Sequence, residues 1–149
     1  MILQRKVYLL VALTGLLFMV PRCGDSTSDT IDPDDLIGTW WNITSGVTLT
    51  FESETEGQVY EVRDPQGAYS HLLEGSDDLL VRGYWAVTGN SLSLADEIGP
   101  VACPSTTDRF VITMNQARTV MTLTHLGDEC LLRASVLADH TWQRRADGS

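Results

Sequence analysis

The chain has 149 residues, 43% of them hydrophobic, and its ten Lys+Arg stand against twenty Asp+Glu for a formal net charge of −10. Three of the basic residues, Arg5, Lys6 and Arg22, lie at the N-terminal edge, so the remainder carries seven basic and twenty acidic residues, a net of −13, with no lysine at all. Phosphate binding needs clustered Lys and Arg, so this balance argues against a nucleic-acid partner and for a self-repelling, soluble surface.

The first element in chain order is a leader. Residues 1–6 carry Arg5 and Lys6, and residues 7–20 form an uncharged apolar run. That run is short of the roughly 20 residues a spanning helix needs, and it has the proportions of a signal-peptide core. Cys23 follows, and then Gly24-Asp25-Ser26-Thr27-Ser28-Asp29-Thr30, a small polar stretch that reads as a flexible tether. The arrangement resembles the leader of a bacterial lipoprotein, with Val20 three positions before the cysteine and Arg22 directly before it. The resemblance implies a signal peptide over residues 1–22, diacylation of Cys23 as the new N-terminus, and a tether over residues 23–32. It places the chain outside the cytoplasm, lipid-anchored to the bacterial cell membrane or outer membrane. A differently cleaved secreted protein and an uncleaved anchor are the alternatives.

Only three cysteines occur, Cys23, Cys103 and Cys130. An odd count in an exported chain leaves one thiol to explain. Lipid attachment at Cys23 leaves Cys103 and Cys130 to pair as a disulfide. The pair closes a loop of about 28 residues, worth about 3 to 4 kcal/mol on the chain-entropy account. With no Cys-x-x-Cys and an oxidising compartment, its role is structural.

About 115 residues remain, enough for one domain with a single core, here residues 33–145 with a short tail over residues 146–149. Asp32 can cap one turn at Pro33-Asp34-Asp35-Leu36. Apolar and polar residues then alternate with period two in eight segments: 37–44, 47–51, 58–63, 80–87, 91–94, 109–114, 119–125 and 141–145. Residues 131–136 read as an irregular ninth, and no run shows sustained helical periodicity. Ser45-Gly46, Glu56-Gly57, Asp64-Pro65-Gln66-Gly67, Gly89-Asn90 and Leu126-Gly127-Asp128 supply turn chemistry between them. The expected fold is all-β, a single antiparallel up-and-down barrel of about eight strands, because closure removes exposed edges. Phase predicts that Tyr60, Val62, Val81, Gly83, Trp85, Val87, Phe110, Ile112 and Met114 face inward, and that Asn42 is buried wherever Trp40 is.

Leu36-Ile37-Gly38-Thr39-Trp40, with Asp32-Pro33-Asp34-Asp35 before it, resembles the Gly-x-Trp opening of lipocalin-like barrels. The later half, through Thr141-Trp142-Gln143-Arg144, is similar to small bacterial extracytoplasmic lipocalin-like domains. The resemblance implies that Trp40 closes the barrel base and that Arg144, from the last strand, packs over it. Gly38-Thr39-Trp40-Trp41-Asn42 with Ser45 is also similar to the first strand of avidin-like barrels, which would imply biotin binding. Some barrels that inhibit secreted proteases begin with Gly-x-Trp as well.

Catalytic constellations are thin. His71, His125 and His140 are scattered, with no metalloprotease, nucleophile-elbow or phosphate-loop motif, so the reading is non-enzymatic, without catalytic residues, metal or cofactor. Asp29, Asp32, Asp34 and Asp35 lack the glycine and distal glutamate of a calcium loop. Two function classes remain. In one, the barrel holds a small apolar ligand, with Trp40, Asn42, Tyr60, Trp85 and Trp142 as an aromatic lining with a polar handle. In the other, the core is solid and a loop is the working surface for a cell-envelope partner or an inhibited enzyme; residues 64–79 and 97–107 are the longest candidates.

Overall fold

The computed structural model describes residues 30–55, 57–73, 78–127 and 129–146; the leader, Cys23 and the tether up to residue 29 lie outside the described residues. Eight strands follow in order: β1 (Gly38–Asn42), β2 (Thr48–Glu54), β3 (Gly57–Arg63), β4 (Leu79–Thr88), β5 (Ser91–Ile98), β6 (Thr107–Met114), β7 (Val120–His125) and β8 (Thr141–Arg144). Each pairs antiparallel with the next, and β8 returns to β1 to close the barrel. The alternation seen in the sequence does this work. Leu49 and Phe51, Leu92 and Leu94, Phe110 and Ile112, and Met121 and Leu123 are all buried, while Thr50, Ser93, Val111 and Thr122 between them face outward.

Two irregularities adjust that phase. Between β3 and β4 the register slips so that Val62 faces Val81 and Arg63 faces Leu79. Leu80 is the extra residue, which lets Leu80 and Val81 both be buried at consecutive positions. Between β4 and β5, Arg82 faces Ile98 and Gly83 faces Asp96, leaving Glu97 over. Ile98 is thereby turned into solvent although it has the same parity as Asp96.

Up-and-down topology gives the barrel two distinct ends. The base holds the N-terminal lead-in and the turns joining β2–β3, β4–β5 and β6–β7. The mouth holds the β1–β2 turn and the longer connections after β3, β5 and β7. At the base, Asp32 accepts a hydrogen bond from the Asp34 amide at 3.0 Å and starts the expected turn, a 3-10 helix over Pro33–Asp35. Trp40 is fully buried and its indole N–H donates to the Leu36 carbonyl at 2.8 Å. The Arg144 guanidinium sits 4.5 Å from the Trp40 ring centroid. It donates to the carbonyls of Ile37 at 2.7 Å, Arg118 at 3.2 Å and Asp35. One side chain thus joins the lead-in, the β6–β7 turn and the last strand.

The structure corrects the sequence reading at three places. Residues 131–136 are not a ninth strand: α1 (Leu131–Leu137) is a helix lying across the mouth. Its buried residues, with Cys130 before them, are Arg133, Ala134, Val136 and Leu137, a helical stripe that strand parity cannot match. The domain also begins before Pro33. Ile31 is buried and its amide donates to the Gly89 carbonyl at 2.8 Å, so residues 31 and 32, expected in the tether, belong to the barrel domain. Finally, β5 runs on to Ile98 and β6 starts at Thr107, which shortens the loop expected over residues 97–107.

Replacing Arg144 by Leu leaves three carbonyls without their donor and removes the guanidinium–indole contact. Urea unfolding of Arg144→Leu is expected to show a loss of about 2 to 4 kcal/mol with an unchanged m-value. A loss under about 0.5 kcal/mol, the range of ordinary surface substitutions, would contradict this account of the base.

Candidate functional site

The five residues expected to line a ligand cavity are all inside the barrel and all packed. Trp40, Tyr60 and Trp142 are 0% exposed, Asn42 is 1% and Trp85 is 4%. Their polar atoms, Asn42 Nδ2 apart, are engaged by the protein. The Trp85 indole donates to the Glu52 carbonyl and that of Trp142 to the Leu137 carbonyl, both at 3.2 Å. Phe51 meets Trp85 edge-on with ring centroids 5.2 Å apart. Asn42 Oδ1 accepts the Thr44 and Ser45 amides at 2.8 and 3.1 Å, shaping the β1–β2 turn. The Asn42 carbonyl group that an avidin-like site would offer to a ligand therefore already has its partners, and only Nδ2 lacks one.

The most distinctive chemistry is a buried polar network under α1, and the residues that form it were mostly not anticipated. Arg133 is completely buried. Its Nη1 meets Asp96 Oδ1, and its Nη2 lies 2.7 Å from Asp108 Oδ2. Tyr60 donates its hydroxyl to the same Asp96 oxygen, while Asp96 Oδ2 accepts the Cys103 amide at 2.7 Å. His125 Nε2 lies 3.3 Å from Asp108 Oδ2, and its ring packs on Phe110. Two carboxylates of β5 and β6 thus share one guanidinium delivered by the helix.

Gly83 makes room for this arrangement. A Cβ there would come within 2.2 Å of the Ala95 carbonyl oxygen and 2.7 Å of Asp96 Cα. Without a side chain, the bulged β5 backbone can press against β4 and turn Asp96 inward. The Cys103–Cys130 disulfide, present as expected, ties the loop after β5 to the residue that precedes α1. Asp96 and the two sulfurs lie within 4.8 Å of one another, but the sulfurs are bonded to each other and offer no thiolate to a metal.

Burial drives the Tyr60 phenol far above its ordinary value near 10.0, with the Asp96 charge and hydrogen bond adding to it. Burial works against the Arg133 charge, yet the contact with Asp108, then Tyr60 and Asp96, carries the net shift upward. The guanidinium therefore stays charged.

Of the other histidines, His140 Nε2 lies 3.2 Å from the Ser135 carbonyl and His71 is exposed, so the three do not converge. Asp64, at the head of the β3–β4 connection, is buried and accepts the Ala68 and Tyr69 amides at 2.9 and 2.6 Å.

Among the depressions of the described surface are these two. One of about 210 Å³ lies above Asp108, between Arg109, Leu126 and Glu129. The larger, about 480 Å³, runs along the outside of β8, β1 and β2.

Parity held the signal for most of the missed residues. Asp96 continues the inward series Leu92, Leu94, and Asp108 precedes Phe110 and Ile112 in theirs. Ending one strand at Leu94 and starting the next at Arg109 left both aspartates in a loop. Comparison with known proteins finds no matching family profile, and no match among curated proteins or solved structures.

The Tyr60 shift has a definite sign. Below pH 10 folded and unfolded chains both hold the phenolic proton; above it the unfolded chain ionises first, so folding stability falls as pH rises. This residue is expected to add a slope of about 1.4 kcal/mol per pH unit in alkaline solution. Urea unfolding from pH 9.5 to 11.5 should show that extra slope in the unsubstituted protein and not in Tyr60→Phe. Parallel pH profiles would contradict the assignment.

Proposed function

We propose that this chain is a non-enzymatic, extracytoplasmic lipocalin-like barrel, tethered to the membrane through lipid on Cys23. Its interior is a solid core, and its outer surfaces meet partners in the cell envelope. The single observation that carries the solid-core reading is the state of the polar handles. Trp40, Trp85, Trp142 and Tyr60 each donate to a group of the protein, so that among the five expected lining residues only Asn42 Nδ2 is a donor without a partner, too little polar chemistry to fix a ligand's orientation.

The mouth supports the same reading. The helix that crosses it anchors inward through Arg133 and a disulfide-bonded Cys130, and turns Leu131 (68% exposed) and Leu132 (43%) to solvent. Nearby chain segments present Leu126 and Ile98. Apolar side chains held outward on a rigid cap are the material of a protein contact. Biotin binding gains no support from Asn42, whose acceptor shapes its own turn. The leader and its similarity to lipoproteins support the tether.

Mass spectrometry of the full chain, exported by a bacterial host and purified, tests both parts. The denatured protein is expected to carry covalent acyl chains that Cys23→Ser abolishes, with the Cys103–Cys130 pair oxidised. The native protein is expected to fly without a non-covalent apolar adduct. A reproducible adduct lost on Trp85→Ala would replace the solid-core reading with ligand carriage, and an unacylated Cys23 would remove the tether.

A further inference from the structure

The larger groove lies on the outer wall, and nothing about it depends on how the interior is filled. Its volume of about 480 Å³ suits one small ligand. Trp41 forms part of it. As the residue between inward Trp40 and Asn42, Trp41 points outward, with Thr48 across from it on β2 and Gln143 on β8. It is only partly buried, and its indole has no hydrogen-bond partner among the described residues. Pro65 and Gln66, from the connection after β3, form the facing side.

The β1–β2 turn is built to seat the Gln66 amide. Gly46 has φ of +75°, and a Cβ on it would come within 2.3 Å of Gln66 Cδ. Conformation and close approach both call for glycine at this position.

Charge singles the groove out further. Only seven basic residues follow the leader in a segment of net charge −13, and two of them, Arg144 and Arg145, line this groove, together with no acidic residue. Arg144 is committed to Trp40 and three carbonyls at the base. Arg145 is exposed, and its guanidinium has no acidic partner among the described residues; only its backbone amide is bonded, to the Thr39 carbonyl at 2.8 Å.

These groups select a ligand class. A guanidinium takes a carboxylate through two parallel hydrogen bonds. A hydroxyl and an amide, from Thr48 and Gln66, suit a polyhydroxylated rim. A single indole wall suits a ring with one C–H face and one hydroxylated edge, whereas a flat aromatic acid would leave its second face in water. We propose that the Trp41–Gln66–Arg145 groove binds an acidic saccharide, a pyranose whose C–H face lies on Trp41 and whose carboxylate pairs with Arg145.

The test is a nitrogen-15 NMR titration of the full chain with D-glucuronate, D-glucose and benzoate, following the Trp41 indole N–H. Glucuronate is expected to shift that resonance saturably and to leave those of Trp40, Trp85 and Trp142 in place. Glucose should bind about tenfold more weakly, since it lacks the charged pair. Arg145→Gln, at an exposed position where folding is not at stake, should cut glucuronate affinity about tenfold and leave glucose affinity unchanged. Trp41→Ala should weaken both sugars. The proposal is overturned by a Trp41 resonance that glucuronate does not move, by benzoate binding as tightly as glucuronate, or by Arg145→Gln with undiminished glucuronate affinity.

Discussion

Everything at the barrel mouth follows from the burial of Asp96 and Asp108 on adjacent strands. Strand parity turns both carboxylates inward, where they are buried, and an uncompensated buried charge costs several kcal/mol. Arg133 is the compensation. To deliver a guanidinium between two strands from above, the chain between β7 and β8 has to bring a long side chain down into the barrel, and a helix laid across the opening does so. Cys130 directly precedes that helix and is covalently tied to Cys103, whose own amide bonds Asp96. Tyr60 completes the set from β3. The network, the disulfide and the helix are thus one device, and removing any member leaves the others with unmet partners.

The two ends use the same residue type for different tasks. At the base, Arg144 bonds backbone carbonyls and lies on an indole, a role for which a planar cation with several donors is suited. At the mouth, Arg133 bridges two carboxylates in full burial. Between them lies a core of Phe51, Leu92, Leu94, Phe110, Ile112 and three tryptophans. An eight-stranded barrel has an interior just wide enough for side chains to fill, and here large aromatic ones occupy it. Outside, an acidic surface is interrupted by the exposed leucines of α1 and by the Trp41 groove, whose Arg145 guanidinium has no acidic partner among the described residues.

How much of this could be read in advance depends on the period of the signal. Val47-Thr48-Leu49-Thr50-Phe51 announces its strand without ambiguity, because alternation and turn residues agree. The pairing of Arg144 with Trp40 was legible through the Gly38-x-Trp40 opening and the shared face of Trp142 and Arg144. The cysteine pair followed from counting. Asp96 and Asp108 were carried by the same parity, but a charged residue at the end of an apolar series looks like the start of a loop. The helix was hidden more deeply. Cys130, Arg133, Ala134 and Leu137 have helical spacing, yet an arginine in the buried stripe reads as an interruption until its two carboxylates are known. The bulges at Leu80 and Glu97 were invisible for a simpler reason: they are defined by the facing strand, and a single segment does not contain its partner.

The central claim, that the shared guanidinium holds α1 in the barrel mouth, is tested most directly by hydrogen–deuterium exchange of Arg133→Lys against the unsubstituted protein. Lysine keeps the charge and the stem but cannot bridge two carboxylates with a planar fork. The account predicts that the amides of Leu131–Leu137 lose most of their protection while those of β2, β3 and β4 keep theirs. Unchanged protection across α1 in Arg133→Lys would show that the helix is held by its apolar contacts and the disulfide alone, and would contradict the account.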